Sequence, residues 1–170
     1  MADISEDASA QAIVRAARFE LVDRDGTCRA TFGFHDDGTP ALDIMDREGR
    51  IRASVGVMFN GAPIIGVYDE AGQVSVGLTV LTDGTSALHL CGRDGSGAGL
   101  NIDPAGQSGL ILSAPGGDTL VGLTANSNGA WGLGLFDRNP QLRVGATVDV
   151  TGTTTLAMLD ETGSVVWTAP

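Results

Sequence analysis

Residues that commonly act in catalysis are scattered along this chain. The two histidines, His35 and His89, fall in distant segments, and we interpret both as isolated surface residues. The cysteines Cys28 and Cys91 are predicted to lie on opposite faces of distant strands, so we expect two free thiols. The chain has no Gly-x-Ser-x-Gly sequence, the turn that exposes the nucleophilic serine of many hydrolases. We therefore predict no catalytic residue, no cofactor and no enzymatic activity.

Aspartates at regular intervals are the one arrangement that could hold a metal ion. Calcium prefers carboxylate and carbonyl oxygens, but the turns that carry these aspartates match neither the EF-hand loop nor the glycine-rich calcium repeat. An aspartate that opens a turn accepts hydrogen bonds from the backbone of that turn, which explains its recurrence without a metal. We favour this structural role and predict no metal site for the column Asp23, Asp46, Asp69, Asp137 and Asp160.

Three arginines form the candidate ligand face. Arg29, Arg52 and Arg143 fall on the polar side of predicted strands, with glycine and threonine between them. A regular cationic face of this kind would suit a polysaccharide or another polymer, although Tyr68 is the only aromatic residue expected beside it. The formal net charge of -11 argues against nucleic acid, because binding to phosphates depends on Lys and Arg.

A repeat of about 23 residues sets out these side chains along the chain. One series of turns reads Asp-x-x-Gly and the other is typified by Asn60-Gly61, and both sequences are signals for tight β-hairpins. Thirteen turns predict an antiparallel meander of about fourteen short strands, built from seven hairpin repeats. The first series is Gly26, Gly49, Gly72, Gly95, Gly117, Pro140 in place of glycine, and Gly163; the second is Gly38, Gly61, Gly84, Gly106, Gly129 and Gly152.

Apolar residues keep one phase in nearly every predicted strand. Ile51, Ala53, Val55 and Val57 fall on alternate positions, which is the period of a strand with one buried face. The other positions hold Arg, Thr, Ser and many glycines, and mid-strand glycine requires a cause such as close approach of another backbone or local bending. The one irregular unit, residues 95–117, is a residue shorter and is predicted to be a bend or weak point. The sequence thus predicts an all-β sheet with one continuous apolar face.

An open sheet of this size exceeds the ~10 strands usual before sheets curl, split or pair, so something must cover its apolar face. The alternatives are a closed barrel, a two-layer sandwich folded near residue 97, and a homo-oligomer. Constant phase without long loops favours the oligomer, as a trimeric β-prism roughly 65 Å long at ~4.8 Å per strand. The repeat domain is predicted over residues 19–170, and residues 1–18 form a separate segment, either a short helix or a flexible tail.

The repeated segment resembles the tandem repeats of a group of bacterial proteins. Residues 21–30, Leu-Val-Asp-Arg-Asp-Gly-Thr-Cys-Arg-Ala, and residues 44–53, Ile-Met-Asp-Arg-Glu-Gly-Arg-Ile-Arg-Ala, follow the pattern Leu-x-Leu-x-Asp-x-x-Gly-x-x-Arg-Ala. The match covers residues 19–68 well and the remainder loosely, since Ser75 takes the place of the arginine. The architecture is also similar to the β-repeat shafts of trimeric phage fibres. These resemblances imply a repeat architecture and carry no functional residue across.

The expected function is that of a structural or assembly module, a self-associating β-repeat protein without catalytic activity. Its predicted partner is further copies of the same chain; the alternative is a carbohydrate- or polymer-binding module that uses the polar face, and a protein partner is left open. No apolar run reaches the ~18 residues of a membrane helix. Residues 1–9 lack the order of a signal peptide, so the predicted location is cytoplasmic, or else a phage-like or surface assembly.

Overall fold

The computed structural model describes residues 15–169, which form one open antiparallel sheet of fourteen strands. Each strand pairs only with its neighbours in sequence, so the predicted meander is confirmed. Residues 1–14, which include most of the predicted N-terminal helix, lie outside the described residues, and residues 15–18 are not helical. The strands are β1 (Phe19–Val22), β2 (Cys28–Phe34), β3 (Pro40–Met45), β4 (Ile51–Val57), β5 (Pro63–Tyr68), β6 (Val74–Val80), β7 (Ser86–Cys91), β8 (Gly97–Ile102), β9 (Ser108–Ser113), β10 (Thr119–Ala125), β11 (Trp131–Phe136), β12 (Leu142–Val148), β13 (Thr154–Leu159) and β14 (Val165–Ala169).

The sheet is a single layer. Strands contact only the strands next to them in sequence, and β1 does not pair with β14. Residues 15–169 therefore form neither a closed barrel nor a second sheet folded back at residue 97. The barrel and the sandwich are therefore excluded as ways to cover the apolar face. Any surface that covers it must come from outside residues 15–169.

The hairpin turns follow the chemistry that their sequences predict. In the turn between β3 and β4, the Asp46 N–H donates to the Arg50 carbonyl oxygen at 3.0 Å, and the Gly49 N–H donates to the Asp46 carbonyl oxygen at 3.2 Å. The Asp46 carboxylate accepts the N–H groups of Glu48 and Arg50 at 3.1 and 2.9 Å. Gly49 has φ 77, and the predicted positive φ is confirmed at Gly26, Gly49, Gly72 and Gly163.

Replacement of Gly49 by alanine should destabilise the protein by about 1 kcal/mol, because a side chain disfavours positive φ. A Cβ at this position would meet no other atom within 4 Å, so the whole cost is conformational. Urea unfolding measures it, with Arg47→Ala in the same turn as the matched control. Equal unfolding midpoints for the two variants would contradict the prediction.

Six of the seven hairpins closed by the first series of turns carry a β-bulge. In the β3–β4 hairpin Met45 pairs with Ile51 while Ile44 pairs with Ala53, so the β4 strand has one extra residue, Arg52. The second series of hairpins keeps an unbroken register. All the bulges therefore lie at one end of the strands, where they raise the local twist. The same register shift occurs in the hairpins β1–β2, β3–β4, β5–β6, β9–β10, β11–β12 and β13–β14.

The β7–β8 hairpin lacks this bulge. Cys91 pairs with Gly97 and Leu90 with Ala98 in continuous register. The missing bulge residue explains why the repeat shortens to 22 residues at this point. The unit predicted to be a bend or weak point thus keeps its place in the hydrogen-bonded sheet.

Mid-strand glycines make room on the polar face. A Cβ placed on Gly66 would lie 2.9 Å from the Tyr68 hydroxyl oxygen, and one on Gly134 would lie 2.9 Å from the Phe136 ring. At Gly56 the close neighbour is backbone, since a Cβ would lie 2.8 Å from the carbonyl oxygen of Pro40. Close backbone approach was expected, whereas the side chains that lie over Gly66 and Gly134 are an additional cause.

The bulges also change which face some apolar residues occupy. Strict alternation places Ile51 and Leu142 on the apolar face. Leu142 instead reaches across Gly134, at 3.0 Å from a Cβ placed there, and Ile51 lines a cavity together with Asp43 of the polar face. A bulge sets two consecutive residues opposite one partner, so the alternation shifts by one at that point.

Candidate functional site

No part of residues 15–169 covers the apolar face of the sheet. One cross-strand row on this face contains one residue from each of the fourteen strands, and every member is apolar. The large side chains of this apolar row are between 38% and 57% exposed. The row is Phe19, Phe32, Leu42, Val55, Ile65, Leu78, Leu88, Leu100, Leu110, Leu123, Leu133, Ala146, Leu156 and Ala169.

The total accessible surface confirms how little of this sheet is covered. The chain exposes 11880 Å², whereas a compact monomer of this mass exposes ~7,800 Å². The buried apolar residues of the described chain are only Ala41, Ala62 and Ala87. Soluble monomers rarely expose contiguous apolar patches beyond a few hundred Å², so a face of this extent indicates an interaction surface.

The predicted ligand-face arginines hold the bulged hairpins together. Arg29, Arg52 and Arg143 are the extra residues of their bulges, and each approaches the aspartate that opens its own turn, at 3.4, 3.6 and 3.4 Å. Nε of Arg29 and Nε of Arg52 also donate to the carbonyl oxygens of Met45 and Tyr68, at 3.4 and 3.1 Å. These contacts explain the Asp-x-x-Gly-x-x-Arg spacing of the repeat.

The three arginines do not converge on one site. Arg29 and Arg52 lie two strands apart, in β2 and β4, whereas Arg143 lies in β12, eight strands beyond Arg52. Ligand binding by this face stays a prediction.

A histidine paired with a buried aspartate lies on the polar face near the first hairpins. His35 Nε2 lies 2.7 Å from Oδ2 of Asp43, whose side chain is only 4% exposed, while the imidazole is 45% exposed. The second carboxylate oxygen, Asp43 Oδ1, is buried and has no hydrogen-bond partner. Thr31 and Ser54 flank Asp43 on the neighbouring strands. A buried carboxylate oxygen without a donor is costly, so Asp43 Oδ1 destabilises the described fold at this position.

Two open cavities flank the His35–Asp43 pair. One of about 550 Å³ is lined by Arg18, Thr31 and Asp37, and one of about 380 Å³ is lined by Ser54 and Tyr68; His35 and Asp43 line both. Burial raises the pKa of the Tyr68 phenol, and the negative charge of Asp43 adds to this effect. Tyr68 is therefore a neutral hydroxyl at physiological pH.

Sequence reasoning placed His35 at the surface and missed its partner. The signal was available, because Asp43 and Glu20 are the only acidic residues within the described strands. A carboxylate in the middle of an internal strand cannot reach the solvated turns, so it needs a donor on its own face. His35 supplies that donor from the turn after β2.

The remaining features to consider among the described residues are metal-binding clusters, the two cysteines and membrane-spanning helices. Residues 15–169 contain no cluster of three or more His, Cys, Asp or Glu side chains that could hold a metal ion. Cys28 and Cys91 are free thiols, as predicted, and lie in β2 and β7, roughly 24 Å apart at the usual strand spacing. The same residues include no helix of the length and apolarity needed to cross a bilayer.

Comparisons with known proteins assign no family. No protein-family model matches the chain, and no curated protein matches its sequence. Among solved structures, the chain is similar to the TCP domain of SAS-4 (dCPAP) of Drosophila melanogaster, determined in complex with a proline-rich motif of Ana2 (dSTIL). The identity is 14%, the match covers 91% of this chain and 92% of that chain, and the TM-score is 0.40. A superposition this loose assigns neither family nor function.

Proposed function

We propose that this chain is a structural module that self-associates through its apolar face and has no catalytic activity. The observation that carries the proposal is the apolar row, which crosses all fourteen strands without a polar member. Burial of apolar surface contributes ~25 cal/mol per Å², so association over such a face is strongly favourable. A copy of the same chain is the natural occupant, because it presents a face of the same length, strand spacing and apolar character.

The proposed assembly is a trimer, with each sheet forming one wall of a triangular prism. Strands of six or seven residues are ~20 Å long, so three walls of that width would lie ~6 Å from the common axis. This is close to half the ~10 Å separation of packed sheets, so the side chains of three walls would fill the axis without a void.

The contacts of the repeated aspartates and arginines support a structural role for this chain. The Asp and Arg of the Leu-x-Leu-x-Asp-x-x-Gly-x-x-Arg-Ala pattern are used within the chain to close turns and hold bulges, as at Asp46 and Arg52. We include in the proposal that the chain belongs with the bacterial repeat proteins it resembles and is built like a fibre shaft.

Light scattering coupled to size exclusion tests the proposal. The smallest species on dilution should have three times the 17.3 kDa mass of one chain. A species of two chains would replace the prism with a face-to-face pair of sheets. A folded monomer whose melting temperature does not depend on concentration would overturn self-association.

A second candidate function is the binding of a hydroxyl-rich polymer on the polar face. It rests on the two cavities beside the His35–Asp43 pair, where the phenol of Tyr68 and the hydroxyls of Thr31 and Ser54 accompany a buried carboxylate. Carboxylates and hydroxyls are hydrogen-bonding groups suited to sugars. A glycan array probed with the folded protein decides this point, and an array without a reproducible ligand would exclude it.

A further inference from the structure

The sheet has two edge strands, β1 and β14, and in the part of the chain that the structure describes each pairs on one side only. An edge strand leaves backbone N–H and C=O groups open to another strand, and proteins commonly guard it with lysine, proline or a covering element. This chain has no lysine, and all four residues of β1 are exposed. Leu21 and Trp167, on the apolar side of the two edges, are 65% and 46% exposed.

The two edges are complementary, because they belong to different halves of the repeat. Residues 19–26, Phe-Glu-Leu-Val-Asp-Arg-Asp-Gly, correspond to residues 42–49, Leu-Asp-Ile-Met-Asp-Arg-Glu-Gly, so β1 is a strand of the β3 type. β14 follows a bulged turn of the first series, as β2 does, and is a strand of the β2 type. The pairing of β2 with β3 is therefore a template for the pairing of β14 with a strand such as β1.

We propose that β14 of one copy pairs antiparallel with β1 of a second copy, so that the meander continues from chain to chain. In β2–β3, Ala30 pairs with Ile44, Thr31 with Asp43 and Phe32 with Leu42. The same register sets Trp167 opposite Leu21, Thr168 opposite Glu20 and Ala169 opposite Phe19 of the second copy.

This register satisfies the side chains on both faces. Trp167 and Leu21 join the apolar face without interruption, and the row that ends at Ala169 continues at Phe19. On the polar face, Thr168 opposite Glu20 repeats the internal pair of Thr31 with Asp43.

The interface joins different surfaces of the two copies, so it does not close on itself. A repeated head-to-tail contact of this kind produces rings or open filaments, according to the rotation between copies. Since the edge contact continues the sheet along its own axis, we infer an open-ended filament. The contact uses the backbone of the edges and is separate from the apolar face, so it holds whether or not that face is paired.

Disulfide trapping tests the register directly. Directly opposite residues of antiparallel strands have Cα atoms ~4.5–5.5 Å apart, which falls within the range that a disulfide bridges. In a Cys28→Ser, Cys91→Ser background, Glu20→Cys combined with Thr168→Cys should give a ladder of three or more linked chains under mild oxidation. The two positions of one chain lie thirteen strands apart, roughly 62 Å, so no internal disulfide can form.

The matched control combines Thr168→Cys with Leu21→Cys, whose side chains would point to opposite faces and should not cross-link. Circular dichroism establishes that each variant is folded. A ladder in the Glu20→Cys pair alone, lost on reduction, supports the proposal. A single-chain band, a product that stops at two chains, or an equal ladder in the Leu21→Cys control would overturn it. The trimer proposal is tested separately, by the mass of the smallest species in light scattering.

Discussion

If the apolar face is the interface proposed above, Val55→Asp is expected to yield insoluble or unfolded protein. Val55 is a member of the apolar row and is 50% exposed in the single chain. In an isolated sheet the new carboxylate would be solvated and would cost no more than ~1 kcal/mol in strand propensity. Within a self-associated apolar core it would be buried without a partner, at a cost of several kcal/mol. Soluble expression, light scattering and thermal melting measure the difference.

Adjacent positions of β10 provide a matched pair for this experiment. Leu123 belongs to the apolar row, and Thr124 is exposed on the polar face. Leu123→Asp should reproduce the defect of Val55→Asp, whereas Thr124→Asp should keep the wild-type mass and nearly the wild-type melting temperature. If all three variants stayed soluble with the same mass and stability, the apolar face would not be the interface.

Local turn chemistry made the architecture predictable. Eleven of the thirteen turns combine an aspartate or asparagine with a glycine one or three residues later, and the signals for strand end, hairpin type and pairing order agree. The resulting meander needs no long-range information, because every strand pairs with its sequence neighbour. The same reasoning could not decide what covers the apolar face, since no surface within residues 15–169 does so.

The bulges and the polar face were harder to predict. Strict alternation placed Ile51 on the apolar face, because a one-residue bulge at Arg52 leaves no mark in the hydrophobic pattern. The sequence evidence for the bulge is the length of the repeat, which falls from 23 to 22 residues where the β7–β8 hairpin has no bulge. The His35–Asp43 pair was missed because the two residues are joined by side-chain reach across a turn, which spacing alone does not show.

Acid should unfold this protein through its turns. Nine turn aspartates have a pKa held below the ordinary value of 3.8 by hydrogen bonds within the turns: Asp23, Asp37, Asp46, Asp69, Asp83, Asp94, Asp137, Asp149 and Asp160. A carboxylate whose folded pKa is depressed stabilises the fold fully above its unfolded pKa and loses that effect as the pH falls through the folded value. Stability should therefore be constant from pH 7 to about 5 and fall steeply below about 4.

Asp160→Asn isolates one turn of this series. The pKa of Asp160 is lowered first by the Thr162 hydroxyl, which donates to Oδ1 at 2.7 Å, and then by the N–H groups of Ser164 and Thr162, each at 2.9 Å. Asparagine keeps an oxygen acceptor but no charge, so the variant should be less stable than wild type at pH 7, and the difference should shrink as the pH falls below about 4. Proton uptake on unfolding near pH 3.5 should fall by a fraction of one proton per chain. Glu161→Gln removes a neighbouring charge from the same turn but none of the hydrogen bonds to Asp160. An equal loss of stability at pH 7 in both variants would assign the effect to net charge and contradict capping.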